Sequence, residues 1–121
     1  MVLKFEKSTQ DIRGQILFLK HEDKNINIVE IKAGFARGGH YHPFETRHFL
    51  LAGKTEVREK NLDTNKETVR TITAPSIIDV PPRTAHLLIA LEDTIFIEEF
   101  SNDYSATEYP EYRNKILQKT K

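Results

Sequence analysis

Short runs in which Val, Ile, Thr and Phe alternate with polar residues recur along the chain, roughly four to eight residues at a time, with turn residues between them. The pattern predicts strands at Val2–Phe5, Gln15–Leu19, Asn25–Ile31, Gly39–His42, Arg47–Ala52, Lys54–Arg58, Thr68–Thr73, Ser76–Val80, Ala85–Leu91 and Thr94–Phe100. Asn61-Leu62-Asp63-Thr64-Asn65 reads as a hairpin tip and Glu92-Asp93 as a tight connection, because Asn and Asp bond readily to their own backbone in turns. Many short strands without an internal repeat point to an all-β sandwich or barrel.

The places where alternation fails carry information of their own. Ala85–Leu91 puts His86, Leu88 and Ala90 on one face and Leu87, Ile89 and Leu91 on the other. A strand apolar on both faces is buried on both. One side is expected to line a barrel interior, the other to meet a second layer or a partner subunit. Asn25–Ile31 begins with Ile26 and Ile28 on one face, then shifts phase to Val29 and Ile31, which predicts a bulge. Ser101 to Tyr109 is polar and irregular. Pro110 then suits the first turn of a short helix, with Glu111 near its start and Lys115, Lys119 and Lys121 toward its end, matching the helix dipole. Tyr112, Ile116 and Leu117 give that helix a stripe with which to pack on the outside of the barrel.

A length of 121 residues fits one domain, residues 1–121. Lys plus Arg and Asp plus Glu each number 18, so the chain lacks the basic excess with which nucleic-acid binders release counterions, and that class is set aside. Apolar runs are too short to span a bilayer, and the first residues lack the apolar core of a signal peptide, so a cytoplasmic protein without a membrane partner is expected. With no cysteine, there is neither a disulfide framework nor a thiolate ligand, and any metal must be held by nitrogen and oxygen.

Candidate chemistry concentrates in one stretch, Gly38-Gly39-His40-Tyr41-His42-Pro43-Phe44-Glu45-Thr46-Arg47-His48. Residues two apart on a strand share a face, so the imidazoles of His40 and His42 point the same way. Gly34, Gly38, Gly39 and Gly53, four of the five glycines, surround them and allow tight turns and close backbone approach. His86 follows the Pro81-Pro82 pair, whereas His21 reads as a solvated turn residue.

Gly34, His40-x-His42 and Gly53 resemble the first motif of the cupin superfamily, a glycine, five residues, His-x-His, three or four residues, Glu, six residues and a glycine. Pro81-Pro82-Arg83-Thr84-Ala85-His86 resembles the second, Pro-x-Gly-x-x-His, with Arg83 at the glycine position. The resemblance implies a cupin double-stranded β-helix, a conical jelly-roll barrel, here with a short C-terminal helix, and a site inside. It implies a divalent metal (Fe, Mn, Ni, Co or Zn) on His40, His42 and His86, and a homodimer. The family's glutamate falls between two positions. Counting back from Gly53 reaches Thr46, whereas Glu45 is out of phase by one unless Pro43 bends the chain. If Thr46 faces inward, so does His48. Three ligand sets follow: the three histidines with Glu45, four histidines including His48, or three with water.

A narrower resemblance joins Arg37-Gly38-Gly39-His40-Tyr41-His42 and the tail Asn102 to Tyr109 to the dTDP-sugar 3,4-ketoisomerases and related capsular-polysaccharide cupins. It implies proton transfer by His40 and His42 without a required metal, with Arg37 or Arg47 suited to hold a diphosphate. Arg37 and His48 are the candidate catalytic residues. The functional readings, in order, are a metal-dependent enzyme of a small polar metabolite, a metal-free isomerase or epimerase of a sugar nucleotide, and a non-catalytic ligand-binding cupin.

Overall fold

The structure is a computed structural model that describes residues 3–101 and 105–119. Val2 of the first predicted strand, Asn102, Asp103 and Tyr104 of the tail, and Lys121 at the predicted helix end lie outside the described residues. Strands β1 (Lys4–Asp11), β2 (Gly14–His21), β3 (Lys24–Ile31), β4 (Ala36–Tyr41), β5 (Thr46–Ala52), β6 (Lys54–Asn61), β7 (Lys66–Thr73), β8 (Ser76–Val80), β9 (Thr84–Ala90), β10 (Thr94–Ser101) and β11 (Thr107–Glu108) precede helix α1 (Pro110–Lys119). Each predicted strand has its counterpart. β1 reaches well beyond its predicted end because Lys4–Asp11 is exposed along its whole length, so no apolar alternation marks it.

The pairings nest. β6 pairs with β7, β5 with β8, β4 with β9 and β3 with β10, all antiparallel. Such a doubled-back ribbon, folded over, gives two sheets, β1-β2-β3-β10-β5-β8 and β11-β4-β9-β6-β7. This is a jelly-roll β fold. Between the sheets lies a core of Val29, Ile31, Leu50, Val57, Ile78, Val80, Leu88, Ala90 and Phe96.

β9 is buried at every position, as its doubly apolar pattern predicts. His86 and Leu88 face the barrel cavity. The other face packs Ala85, Leu87 and Ile89 against Tyr112 and Ile116 of α1. The covering layer is therefore the chain's own helix, and this face gives no ground for a partner subunit. α1 starts at Pro110 with Glu111 in its first turn and ends with Lys119, as expected. Tyr112 and Ile116, four apart, form its buried stripe, whereas Leu117 is exposed.

One expectation fails. β3 pairs with both β2 and β10 in continuous register, so it carries no bulge. Its inward positions are Asn27, Val29 and Ile31, all buried. The apparent phase shift came from a polar residue, Asn27, occupying an inward position. Irregular pairing occurs instead in β4, between Gly38 and His40, immediately ahead of the histidine pair.

Candidate metal centre

Cross-strand register assembles the site. On the five-stranded sheet His40 of β4 stands directly opposite His86 of β9. His42, just past the end of β4, shares the face of His40. The glycines ahead of them are required by shape: Gly38 and Gly39 have φ of 102° and 76°, and a Cβ on Gly38 would stand 2.8 Å from the His86 carbonyl oxygen. Ring centroids lie 4.8 Å apart for His40 and His42, 4.7 Å for His40 and His86, and 5.5 Å for His42 and His86. Among the described residues, these three gather with one donor nitrogen each, all within 4.8 Å of one another.

The protonation state suits donors of a lone pair. Burial, reinforced by the neighbouring His42, holds the His40 imidazole down to about 4. Burial lowers His42 as well, against an opposing hydrogen bond to the Ser105 carbonyl. His86 is held well below the ordinary imidazole range, by burial and then by His48, His40 and His42. All three rings are neutral at pH 7. His42 Nδ1 donates to the Ser105 carbonyl oxygen at 2.7 Å, which puts its lone pair on Nε2. The Thr84 backbone opposes the His86 shift weakly. Even so, no hydrogen bond of ordinary geometry reaches His86 Nδ1, although it is fully buried. Buried nitrogens without partners are costly in a folded protein and are common where a ligand completes them.

The six-stranded sheet contributes a polar row at one level. Glu98 of β10 lies opposite Asn27 of β3 on one side and His48 of β5 on the other. Asn27 Nδ2 donates to Glu98 Oε1 at 3.2 Å, and His48 Nε2 stands 3.3 Å from Glu98 Oε2. Burial pushes the Glu98 carboxyl up, but hydrogen bonds from His48 and Asn27 and the nearby histidines outweigh it and keep the group below the ordinary carboxylate range. Glu98 is thus a carboxylate at pH 7. The His48 ring meets His86 edge-on at 5.5 Å, linking the two sheets. A cavity of about 730 Å³ lies between, with His40, His48, His86, Asn27 and Glu98 on its wall.

The remaining candidates fall in different places. Thr46 faces inward and is buried, as is His48 two residues on, which is the phase that counting back from Gly53 predicts. Glu45 is exposed and stands outside the histidine group. Pro43 does not turn it inward. Arg37 is buried on the cavity wall, but its Nε bonds the Glu30 carbonyl, one terminal nitrogen bonds the Gly14 carbonyl, and Asp11 lies 3.6 Å away. It ties β4 to the β1–β2 hairpin. Arg47 is exposed and paired with Asp79. Arg83 adopts φ of 56°, in the left-handed region that glycine favours, and bonds Asp63 from an exposed position.

Glu98 and Asn27 were missed from sequence. Each left a signal: Asn27 broke the phase of its strand, and Glu98 shares a face with Phe96 and Phe100, an acid where an aromatic is expected.

No protein-family model matches the sequence, and no curated protein is significantly similar to it. Solved structures do match. The fold is similar to a Bacillus subtilis oxalate decarboxylase characterised for its Mn(II) centres, with a TM-score of 0.74 and 18% identity over 85% of this chain and 30% of that one. It is likewise similar to a Lactobacillus farciminis oxalate decarboxylase in complex with formate, with a TM-score of 0.73 and 23% identity over 90% of this chain and 35% of that one. The chain spans about a third of the length of these enzymes. At such identities the likeness shows a shared fold, the jelly-roll β fold.

Proposed function

We propose that the chain is a metal-dependent cupin enzyme in which His40, His42 and His86 hold one divalent cation and a small polar metabolite binds in the cavity beside it. The observation that carries this reading is the convergence of three neutral imidazoles, His42 already oriented by a backbone carbonyl and His40 and His86 on the wall of a 730 Å³ cavity. Cavities of that size take small-molecule ligands. Of the expected Fe, Mn, Ni, Co or Zn, an all-imidazole set suits Zn, Fe and Ni well, whereas Mn favours oxygen donors. Bound there, such an ion supplies Lewis acidity toward a substrate oxygen, or oxygen activation if it is redox-active. Across the cavity, His48 Nε2 stands 3.3 Å from the Glu98 carboxylate, and the two are polar groups available to a bound substrate. Arg37 holds β4 in place, and Glu45 has no part in the ligand set.

Metal-free isomerisation through His40 and His42 is the weaker reading. An imidazole held down to about 4 is a poor general base at neutral pH. Elemental analysis of purified protein tests both readings, with His42→Ala and His86→Gln alongside. One ion per chain, lost in both variants while the far-ultraviolet circular dichroism is kept, is the expected result. Protein with only trace metal that turns over a keto-sugar nucleotide would sink the leading idea. Tight ligand binding without turnover under any metal loading would favour a binding protein instead. The expected homodimer belongs to the same proposal. It is supported by Leu51, Ile77 and Ile95, exposed on the outer side of β5, β8 and β10, and sedimentation velocity checks it.

A further inference from the structure

Strand β4 is closed at its outer edge by β11 of its own chain. Thr107 stands opposite Tyr41 and Glu108 opposite His40. Around this short ladder the C-terminal segment takes hold of every residue from Gly38 to His42. The Ser105 carbonyl accepts from His42 Nδ1 at 2.7 Å. The Tyr109 amide donates to the Gly39 carbonyl at 2.8 Å, and Arg113 donates to the Gly38 carbonyl at 3.4 Å. Helix α1 lies flat on the irregular Gly38–His40 step. A Cβ on Gly39 would stand 2.8 Å from Arg113 Cδ and 3.1 Å from Ile116 Cδ1. The helix is itself fixed by Tyr112 and Ile116, buried against Ala85, Leu87 and Ile89, and by the Tyr112 hydroxyl, which donates to Glu67 at 2.7 Å.

Covering the apolar outer face of β9 would require only Tyr112 and Ile116. The backbone bonds to Gly39 and to the His42 ring do more, since they fix where the His40-x-His42 pair stands and which nitrogen of His42 faces the cluster. We infer that residues 105–119 form a strap that positions His40 and His42 for metal binding, with the Ser105 carbonyl selecting the His42 tautomer, so that strap docking and ion binding reinforce each other. The inference rests on the metal-binding reading above. Outer partners of ligating histidines fix ring orientation and basicity. Coupling between two binding events is reciprocal, so an ion that favours the docked strap must be favoured by it. Ser105 and Ile116 are positioning residues in this account.

The test compares Ile116→Ala, which loosens α1, with Ile31→Ala, which opens the buried core on the opposite sheet and touches neither strap nor histidines. The first readout is the imidazole nitrogen shifts of His42 in metal-free protein. Wild type and Ile31→Ala are expected to show Nδ1 protonated, and Ile116→Ala a mixture of tautomers. The second is Co(II) affinity by competition titration. Ile116→Ala is expected to bind about 10- to 100-fold more weakly, the range for loss of an outer partner, and Ile31→Ala is expected to match wild type. The third is amide exchange over residues 105–119, slowed by Co(II) in wild type. Should Ile116→Ala prove unfolded, Tyr112→Phe, which removes only the bond to Glu67, gives the same ordering at smaller size. Equal affinities and unchanged nitrogen shifts in the strap variants would overturn the inference. Wild type that takes up no cobalt overturns the metal reading and the coupling with it. The nitrogen shifts then still decide whether the strap orients His42.

Discussion

Mild acid is expected to unfold the metal-free protein through its buried histidines. His40 is held down to about 4, against an ordinary value of 6.5, first by burial and then by His42. Above pH 6.5 neither the folded nor the unfolded chain carries the proton, and the group costs nothing. As pH falls from 6.5 toward 4, the unfolded chain binds a proton at His40 that the folded chain refuses, so stability drops by about 1.4 kcal/mol per pH unit. Over that window the loss comes to about 3 kcal/mol, a ceiling because the ring is only partly buried and water screens some of the effect. His42 and His86 are shifted the same way and add to the loss. Against a usual domain stability of about 5–15 kcal/mol, these groups bring the apoprotein close to unfolding well before its carboxylates titrate. Urea midpoints of metal-free wild type and His40→Gln, taken at pH 7.5, 6.5, 5.5 and 4.5, measure it. The wild-type advantage at pH 7.5 should shrink steadily below pH 6.5, because the variant lacks one protonation. Parallel profiles would refute the argument. Saturating zinc should raise the whole curve, since the ion binds nitrogens that the folded chain already holds neutral.

Three further outcomes follow from single contacts. Glu98→Gln keeps the shape and loses the charge that His48 and Asn27 bond, so it should cost about 1–3 kcal/mol at pH 7 in a urea titration while ion stoichiometry stays the same. A loss of bound ion would place Glu98 among the ligands. Thr46→Val removes a buried hydroxyl that has no hydrogen-bond partner and puts a methyl of like shape in its place, so it should be neutral or stabilising by about 1 kcal/mol. A loss of more than that in the thermal midpoint would mean the hydroxyl is bonded after all. Arg83→Gly relieves a left-handed backbone worth about 1–2 kcal/mol, less about 0.4–1 kcal/mol for the freer unfolded chain. Because the Arg83–Asp63 pair is largely exposed, its loss adds little, and a higher melting temperature is expected.

Strands and helix were legible because their signals are local. Alternation, turn residues and Pro110 mark elements without reference to the rest of the molecule, and β8 came out at its predicted bounds for that reason. β1 was cut short because Lys4–Asp11 buries neither face, so the backbone ladder to β2 holds it and side-chain pattern does not. The β9 pattern was read as needing a second layer, which is correct in its physics. What sequence could not supply is that the layer is α1, since nothing local ties Leu87 and Ile89 to Tyr112 and Ile116.

The site divides along the same line. His40 and His42 are legible from period two, and His86 from its place after two prolines, but their meeting depends on the register that sets His40 opposite His86. Glu98 shows the limit most clearly. It is separated by 50 residues from His48 and by 71 from Asn27, and only the β3-β10-β5 order makes the three neighbours. Yet β3 and β10 each carry a polar group on an otherwise apolar inward face, Asn27 and Glu98. A buried carboxylate or amide costs several kcal/mol unless partners satisfy it, so each such break implies a second elsewhere in the chain. Asn27 in β3, His48 in β5 and Glu98 in β10 are breaks of this kind, and their mutual need for partners joins them in the polar row. In a small barrel, polar residues that spoil an inward apolar face are therefore better read as members of one shared interior network than as local irregularities of their strands.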